Sequence, residues 1–159
     1  VPRSSQLSSK EEFLSMTVLF SPLGLNYGVL YSAILLVRPT RVVVVTSPQA
    51  IGNLHSATDA ARFYHAGFEV ETHMLDDPFA GFKEGRTLAR LLCASADGEN
   101  VVNLTGGTTV MQDCVRSLAD RLRILQKSVR EVAVIDRRDA DEQKRIPLSL
   151  GQLIEVPEL

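Results

Sequence analysis

Short apolar runs alternate along the chain with longer stretches in which apolar residues recur every three or four positions. Met16–Phe20 is one such run, Arg41–Thr46 carries four valines in succession, and Val101–Leu104 and Val132–Ile135 repeat the pattern. Runs this short suit strands buried on both faces of a parallel sheet. Phe68–Met74 instead alternates apolar and polar residues, which predicts a half-buried strand near an edge. Between them, Val29–Val37 is apolar nearly all round and reads as a buried helix that stops before Pro39. A second helix is expected to be capped by Ser56, to carry Asp59 in its first turn and to end at Gly67. A third runs from about Phe82 to Ala96, closed by Asp97 and Gly98. A long amphipathic helix after Val101–Leu104 should bury Met111, Val115, Leu118, Leu122 and Leu125. Charged residues from Asp136 to Arg145 predict a loop or extended tongue, and Leu148–Val156 a final strand or hairpin. Strands alternating with helices predict an α/β fold: a doubly wound, mainly parallel sheet of about six strands with helices on both faces. Such sheets take ligands beyond the carboxyl ends of their strands, where the strand order reverses.

Three loops fall at those ends. Thr105-Gly-Gly-Thr-Thr109 turns from a strand into a helix start. Glycine permits the tight turn, and the free N–H groups and dipole of the helix start favour an anion. The threonine hydroxyls add donors, so this loop reads as a phosphate-binding corner. Ser21-Pro-Leu-Gly-Leu-Asn-Tyr-Gly28 has a similar design, and Thr46-Ser-Pro-Gln49 is the third. Neither a GxGxxG fingerprint nor a Gly-Lys-Ser/Thr phosphate loop occurs. Arg137 and Arg138 follow the fifth strand and read equally well as a phosphate contact or a solvated charge run. Asp76-Asp-Pro78 reads as a turn and helix cap, and His55, His65 and His73 share no metal-ligand spacing.

Composition narrows the partners. The 159 residues fit one domain, with 45% hydrophobic and 23% charged residues. The net charge of -2 argues against a general grip on duplex nucleic acid, and the lack of tryptophan, with 6% aromatics, against an extended single-strand stacking platform. Cys93 and Cys114 lack metal or CxxC spacing and read as buried apolar residues of a reducing compartment. No apolar run approaches the roughly 20 residues that span a bilayer. Val1-Pro-Arg at the start predicts that residues 1–14 are a linker or a protease-site remnant, with residues 15–159 forming the folded domain.

With these elements in place, the chain resembles the CRISPR-associated Rossmann fold (CARF) domain. The resemblance rests on Leu19-Phe-Ser-Pro-Leu-Gly24, on Asn103-Leu-Thr-Gly-Gly-Thr-Thr-Val-Met111, and on Asp136-Arg-Arg138 with the Gln143–Leu153 tail. It implies a Rossmann-like sensor of cyclic oligoadenylate, the second messenger of type III CRISPR antiviral defence, with cyclic tetra-adenylate as the expected ring. It also implies a homodimer, whose two-fold axis matches that of the ring, and a higher oligomer in the full-length protein as an option. The implied ligand-binding set is Ser21, Leu23, Gly24, Asn26, Tyr27, Thr46, Ser47, Gln49, Thr105, Gly106, Gly107, Thr108, Thr109, Met111 and Arg137. Phosphates would lie on the Thr105–Thr109 helix start and adenines near Ser21–Tyr27 and Thr46–Gln49. No cofactor and no metal is expected.

Many family members carry lysine directly after the Gly-Gly-Thr, where ring-cleaving ones use it to stabilise the reacting phosphate; here Thr109 stands in that place. Binding with slow or no cleavage is therefore the expectation. The resemblance further implies an effector outside this segment, with an upstream membrane anchor as one form and a cytoplasmic, prokaryotic setting for the sensor. Two alternatives stay open: a stand-alone ring nuclease, and an unrelated α/β domain that binds a mononucleotide.

Overall fold

The computed structural model describes residues 16–159, so the expectation for residues 1–14 lies outside the described residues. The six strands are β1 (Thr17–Pro22), β2 (Arg41–Thr46), β3 (Glu69–Met74), β4 (Glu99–Asn103), β5 (Val129–Ile135) and β6 (Gln152–Val156). They form one sheet in the order β3-β2-β1-β4-β5-β6. All neighbours are parallel except β6, which returns antiparallel to β5 with Ala133 opposite Ile154. The helices are α1 (Gly28–Val37), α2 (Leu54–Arg62), α3 (Phe82–Leu92), α4 (Thr109–Ile124) and the short α5 (Ala140–Arg145).

The strand alternation sorts the core into two layers. Val18, Phe20, Val43, Val45 and Val102 face α3 and α4, where they meet Ala89, Leu92, Met111, Cys114, Val115, Leu118 and Leu122. Leu19, Val42, Val44, Val101, Val132 and Val134 face α1 and α2, where they meet Leu30, Ile34, Leu54, Ala57 and Ala61. Two buried faces explain why these strands read as continuous apolar runs. Chain order then sets the reversal point: β1 leads outward through β2 to β3, the chain crosses over to β4, and the order reverses between β1 and β4. The expected edge strand is indeed an edge, and its residues Glu69–Met74 are half-buried or exposed.

Several boundaries depart from expectation, each for a local reason. Ser56 does not cap α2 and Asp59 is not in its first turn. The carbonyl of Ser47 accepts from the amides of Ala50 and Ile51, winding the chain through a 3-10 turn at Ile51–Asn53 straight into Leu54. That helix closes at Phe63, before Gly67. Cys93 sits in a 3-10 turn after α3 and is half-buried, whereas Cys114 is buried and its thiol is pushed up to about 12, first by desolvation and then by Asp113. Leu125 is exposed because it lies at the end of α4, where Gln126 takes a left-handed φ of 58°. The expected tongue contains α5, whose first turn is capped by Asp139 Oδ1 accepting from the Glu142 amide at 2.8 Å.

The segment before β6 is stitched to α1. Ser32 Oγ donates to the Ser149 carbonyl at 3.2 Å and accepts from the Gly151 amide at 2.9 Å. Among the described residues, no helix is long and apolar enough to cross a membrane.

Candidate functional site

At the reversal point the loops after β1 and β4 lie against each other, and a cleft of about 720 Å³ opens above them. The post-β4 loop is built around Asn103. Its buried side chain accepts from the Thr105 amide at 3.0 Å and donates to Ser21 Oγ and to the Thr105 carbonyl, both at 3.0 Å. This fastens the loop to its own strand end and to β1. Thr105 Oγ1 accepts from the Val134 amide at 2.9 Å and so ties the loop to β5. Gly106 and Gly107 then turn the chain with φ of 96° and 70°, a region that favours glycine. Thr108 caps α4 by accepting from the Met111 amide at 3.3 Å, and Gln112 Nε2 donates to the Gly106 carbonyl at 3.1 Å. The amides of Gly106 and Gly107 find no acceptor among the described residues. They stand beside the positive end of the dipole of a 16-residue helix.

Nine residues of the expected set line the cleft: Gly24, Asn26, Ser47, Gln49, Thr105, Gly106, Gly107, Thr108 and Met111. The other six lie outside the lining. Ser21 and Thr46 are buried, with their hydroxyls donating to the Pro22 and Leu23 carbonyls at 2.9 and 2.8 Å, and Leu23 is in the core. Tyr27 sits at the start of α1 and borders a second depression with Lys144 and Pro147. Thr109 turns to a separate hollow with Phe82, Asp113 and Arg116. Arg137 is exposed beyond the strand end. The two tight loops are also used in a way that the glycine pattern did not reveal. A Cβ on Gly24 would lie 2.7 Å from the Gly107 Cα, so this glycine serves a backbone-to-backbone approach. A Cβ on Gly28 would run into the Pro147 carbonyl.

Two walls were missed. One comes from β5 and α5: Val134, Ile135, Asp136 and Gln143. Arg138 lays its guanidinium on Asp136 at 2.8 and 3.0 Å and donates to the Ile146 carbonyl at 2.8 Å, so it is committed within the wall. That guanidinium, through its hydrogen bonds, holds the Asp136 carboxyl below the usual aspartate range. Gln143 Nε2 donates to the Asp136 and Arg138 carbonyls, and Gln143 Oε1 accepts from Asn26, which joins this wall to the first loop. The other wall is Pro78 and Phe79 from the turn after β3. Asp77 does make the expected turn, accepting from the Phe79 and Ala80 amides, but it does not cap α3, whose first residue follows Gly81. The one signal in the sequence was a proline–phenylalanine pair in a polar turn at a strand's carboxyl end.

Asp136 is the single charged residue of the lining, and Arg138 neutralises it. The cleft therefore offers backbone donors, amide and hydroxyl side chains, and apolar surface from Leu25, Val29 and Ile135. That combination suits an organic anion carrying flat apolar groups. Of the three histidines, His55 is exposed, His65 bonds the Pro39 carbonyl and His73 pairs with Glu71 at 2.8 Å. No cluster of metal-ligating side chains occurs among the described residues.

No family model matches the chain, and no curated protein matches it. Solved structures do share its fold. It is similar to Can2 from Sulfobacillus thermosulfidooxidans, described in complex with cyclic tetra-adenylate, with a TM-score of 0.53 and 17% identity over 80% of this chain and 33% of that one. It is also similar to a type III CRISPR defence DNA nuclease activated by cyclic oligoadenylate, with a TM-score of 0.56 and 24% identity over 75% of this chain and 18% of that one. The chain thus spans a third or less of either structure's length. At these identities the likeness is one of fold, and it is the Rossmann-like fold that the resemblance to CARF domains implies.

Proposed function

We propose that this chain is a sensor module that binds cyclic oligoadenylate, with cyclic tetra-adenylate the first ring to test. The observation that carries the reading is the pair of unpartnered Gly106 and Gly107 amides at the start of α4, at the floor of the cleft where the strand order reverses. Backbone donors at a helix start hold phosphate without a net positive protein. Two structures of similar fold are described with such rings, one bound to cyclic tetra-adenylate and one activated by cyclic oligoadenylate.

A cleft of about 720 Å³ suits a drug-sized ligand and is smaller than a ring of four nucleotides. Each protomer of a homodimer would then hold half the ring across the two-fold axis, with a shift between dimer arrangements as the output. The receiving effector would lie outside residues 16–159. Slow or absent cleavage is part of the same reading, and two features support it. The lining carries no lysine, arginine or histidine, and Thr109 faces the neighbouring hollow.

Calorimetric titration with cyclic tetra-adenylate, followed by chromatography of the ligand, tests this. One intact ring per two chains is the expected result. Linear product would assign ring cleavage instead. Binding of one mononucleotide per chain, without ring binding, would replace the sensor reading with a plain nucleotide-binding domain.

A further inference from the structure

The turn between β3 and α3 holds an aromatic ring at the mouth of the cleft. Pro78 is buried, while Phe79 is 73% exposed, and both line the cleft. Single exposed apolar residues are common and need no purpose. This one differs in how it is carried. Asp77 Oδ1 accepts from the Phe79 and Ala80 amides at 3.1 and 3.0 Å. The Glu84 carboxylate, in the first turn of α3, accepts from the Asp76 and Asp77 amides at 2.6 and 3.2 Å. The Gly81 amide closes the turn onto the Asp77 carbonyl at 3.0 Å, and a Cβ at Gly81 would strike that carbonyl. A turn tied this way has little freedom left to lose on binding. Phenylalanine itself has only two side-chain torsions to fix.

The surroundings say what the ring is for. The same cleft holds the free Gly106 and Gly107 amides, the exposed side-chain amide of Gln49, and no cation. A flat hydrophobic face, an amide able to read a base edge, and phosphate donors are the three parts of a nucleotide site. We propose that Phe79 is the stacking platform for a base of the bound ligand, and that the turn over residues 76–81 forms the base-holding side of the site. This rests on the nucleotide reading of the cleft.

The chain contains no tryptophan, so Phe79→Trp installs a single indole whose emission a stacked base quenches. The Phe79→Trp, Phe79→Ala and Phe79→Leu variants and the unaltered protein are titrated with cyclic tetra-adenylate, with calorimetry for affinity and light scattering for assembly. The expected result is saturable quenching in Phe79→Trp at the calorimetric stoichiometry. Affinity should fall about ten-fold or more in both Phe79→Ala and Phe79→Leu, the size of a lost base–aromatic stack, with assembly unchanged. Full rescue by leucine would make Phe79 mere apolar filler and overturn the proposal. So would a fall in dimer content in Phe79→Ala, which would make the ring a subunit contact. Tight binding by the unaltered protein, with Phe79→Ala equally tight and the indole unquenched, would remove the role of Phe79 while leaving the sensor reading intact. Failure of the unaltered protein to bind either cyclic tetra-adenylate or cyclic hexa-adenylate would end both.

Discussion

The loops after β1 and β4 look alike in sequence, each with two glycines and several hydroxyls or amides, yet they do different work. In the post-β4 loop both glycines take left-handed angles and line the cleft, and their amides have no acceptor among the described residues. In the post-β1 loop neither glycine has a positive φ; Gly24 makes room for Gly107, and Gly28 makes room for Pro147. The polar atoms there are spent on structure as well, Asn26 on Gln143 and the Gly28 amide, and the Leu23 carbonyl on Thr46. A glycine in a loop can therefore mark the approach of another chain segment as readily as the approach of a ligand.

Glycine substitutions test this contrast most strongly. Gly107→Ala combines left-handed strain with a Cβ placed 2.6 Å from Met111 Sδ and 3.0 Å from Pro22 Cβ. A loss of about 2–4 kcal/mol in urea unfolding is expected, together with loss of ring binding. Gly106→Ala meets nothing nearer than Val29 at 3.4 Å, so strain alone, about 1–2 kcal/mol, is expected. Equal losses at the two positions would break the account. Asn103→Ala comes next. It strips one buried hydrogen bond to Ser21 of β1 and two to Thr105 in the post-β4 loop, and a fall of about 1–3 kcal/mol in unfolding free energy is the expected outcome. Thr108→Ala removes only the cap of α4, with an expected cost of about 1 kcal/mol by the same measurement.

The smallest effect belongs to the β5 wall. Arg138 lowers the Asp136 pKa in the folded protein. A depressed folded value means that the pair stabilises the fold fully above the ordinary aspartate value, and that this contribution is lost as pH falls through the lower folded one. Unfolding midpoints measured from about pH 5 to about pH 2 should show a slope that Arg138→Ala reduces. An unchanged slope would mean that the pair is not formed in solution.

The sheet and the reversal point were legible because Val42–Val45 and Val101–Val102 are buried on both faces, which leaves no room for polar residues in the pattern. The post-β4 loop was legible because positive φ demands glycine, and glycine shows in a sequence. The start of α2 was not. It depends on Ser47 turning the chain early, while Asn53, beside the helix start, reaches instead to the Gly24 and Leu25 carbonyls. The Asp136 and Phe79 walls were hidden for a similar reason. Their place beside the cleft is set by tertiary closure of distant segments, as in the Asn26–Gln143 bond across 117 positions, and beyond the Pro78-Phe79 pair local spacing carries no trace of it.

The Ser32 clamp on Ser149 and Gly151 has a consequence for the order of synthesis. Strands β1 to β4 and four helices emerge before the β5 wall, and the clamp that holds the following segment against α1 emerges after it. Domains tend to organise from the amino end as they leave the ribosome. A nascent chain can thus assemble the floor with its glycine turns well before the enclosure exists. The enclosure of the cleft is the last part of this fold to form: a chain ending just short of Ser149 would hold the glycine turns and strands β1 to β5 without the clamp that fastens the closing segment to α1.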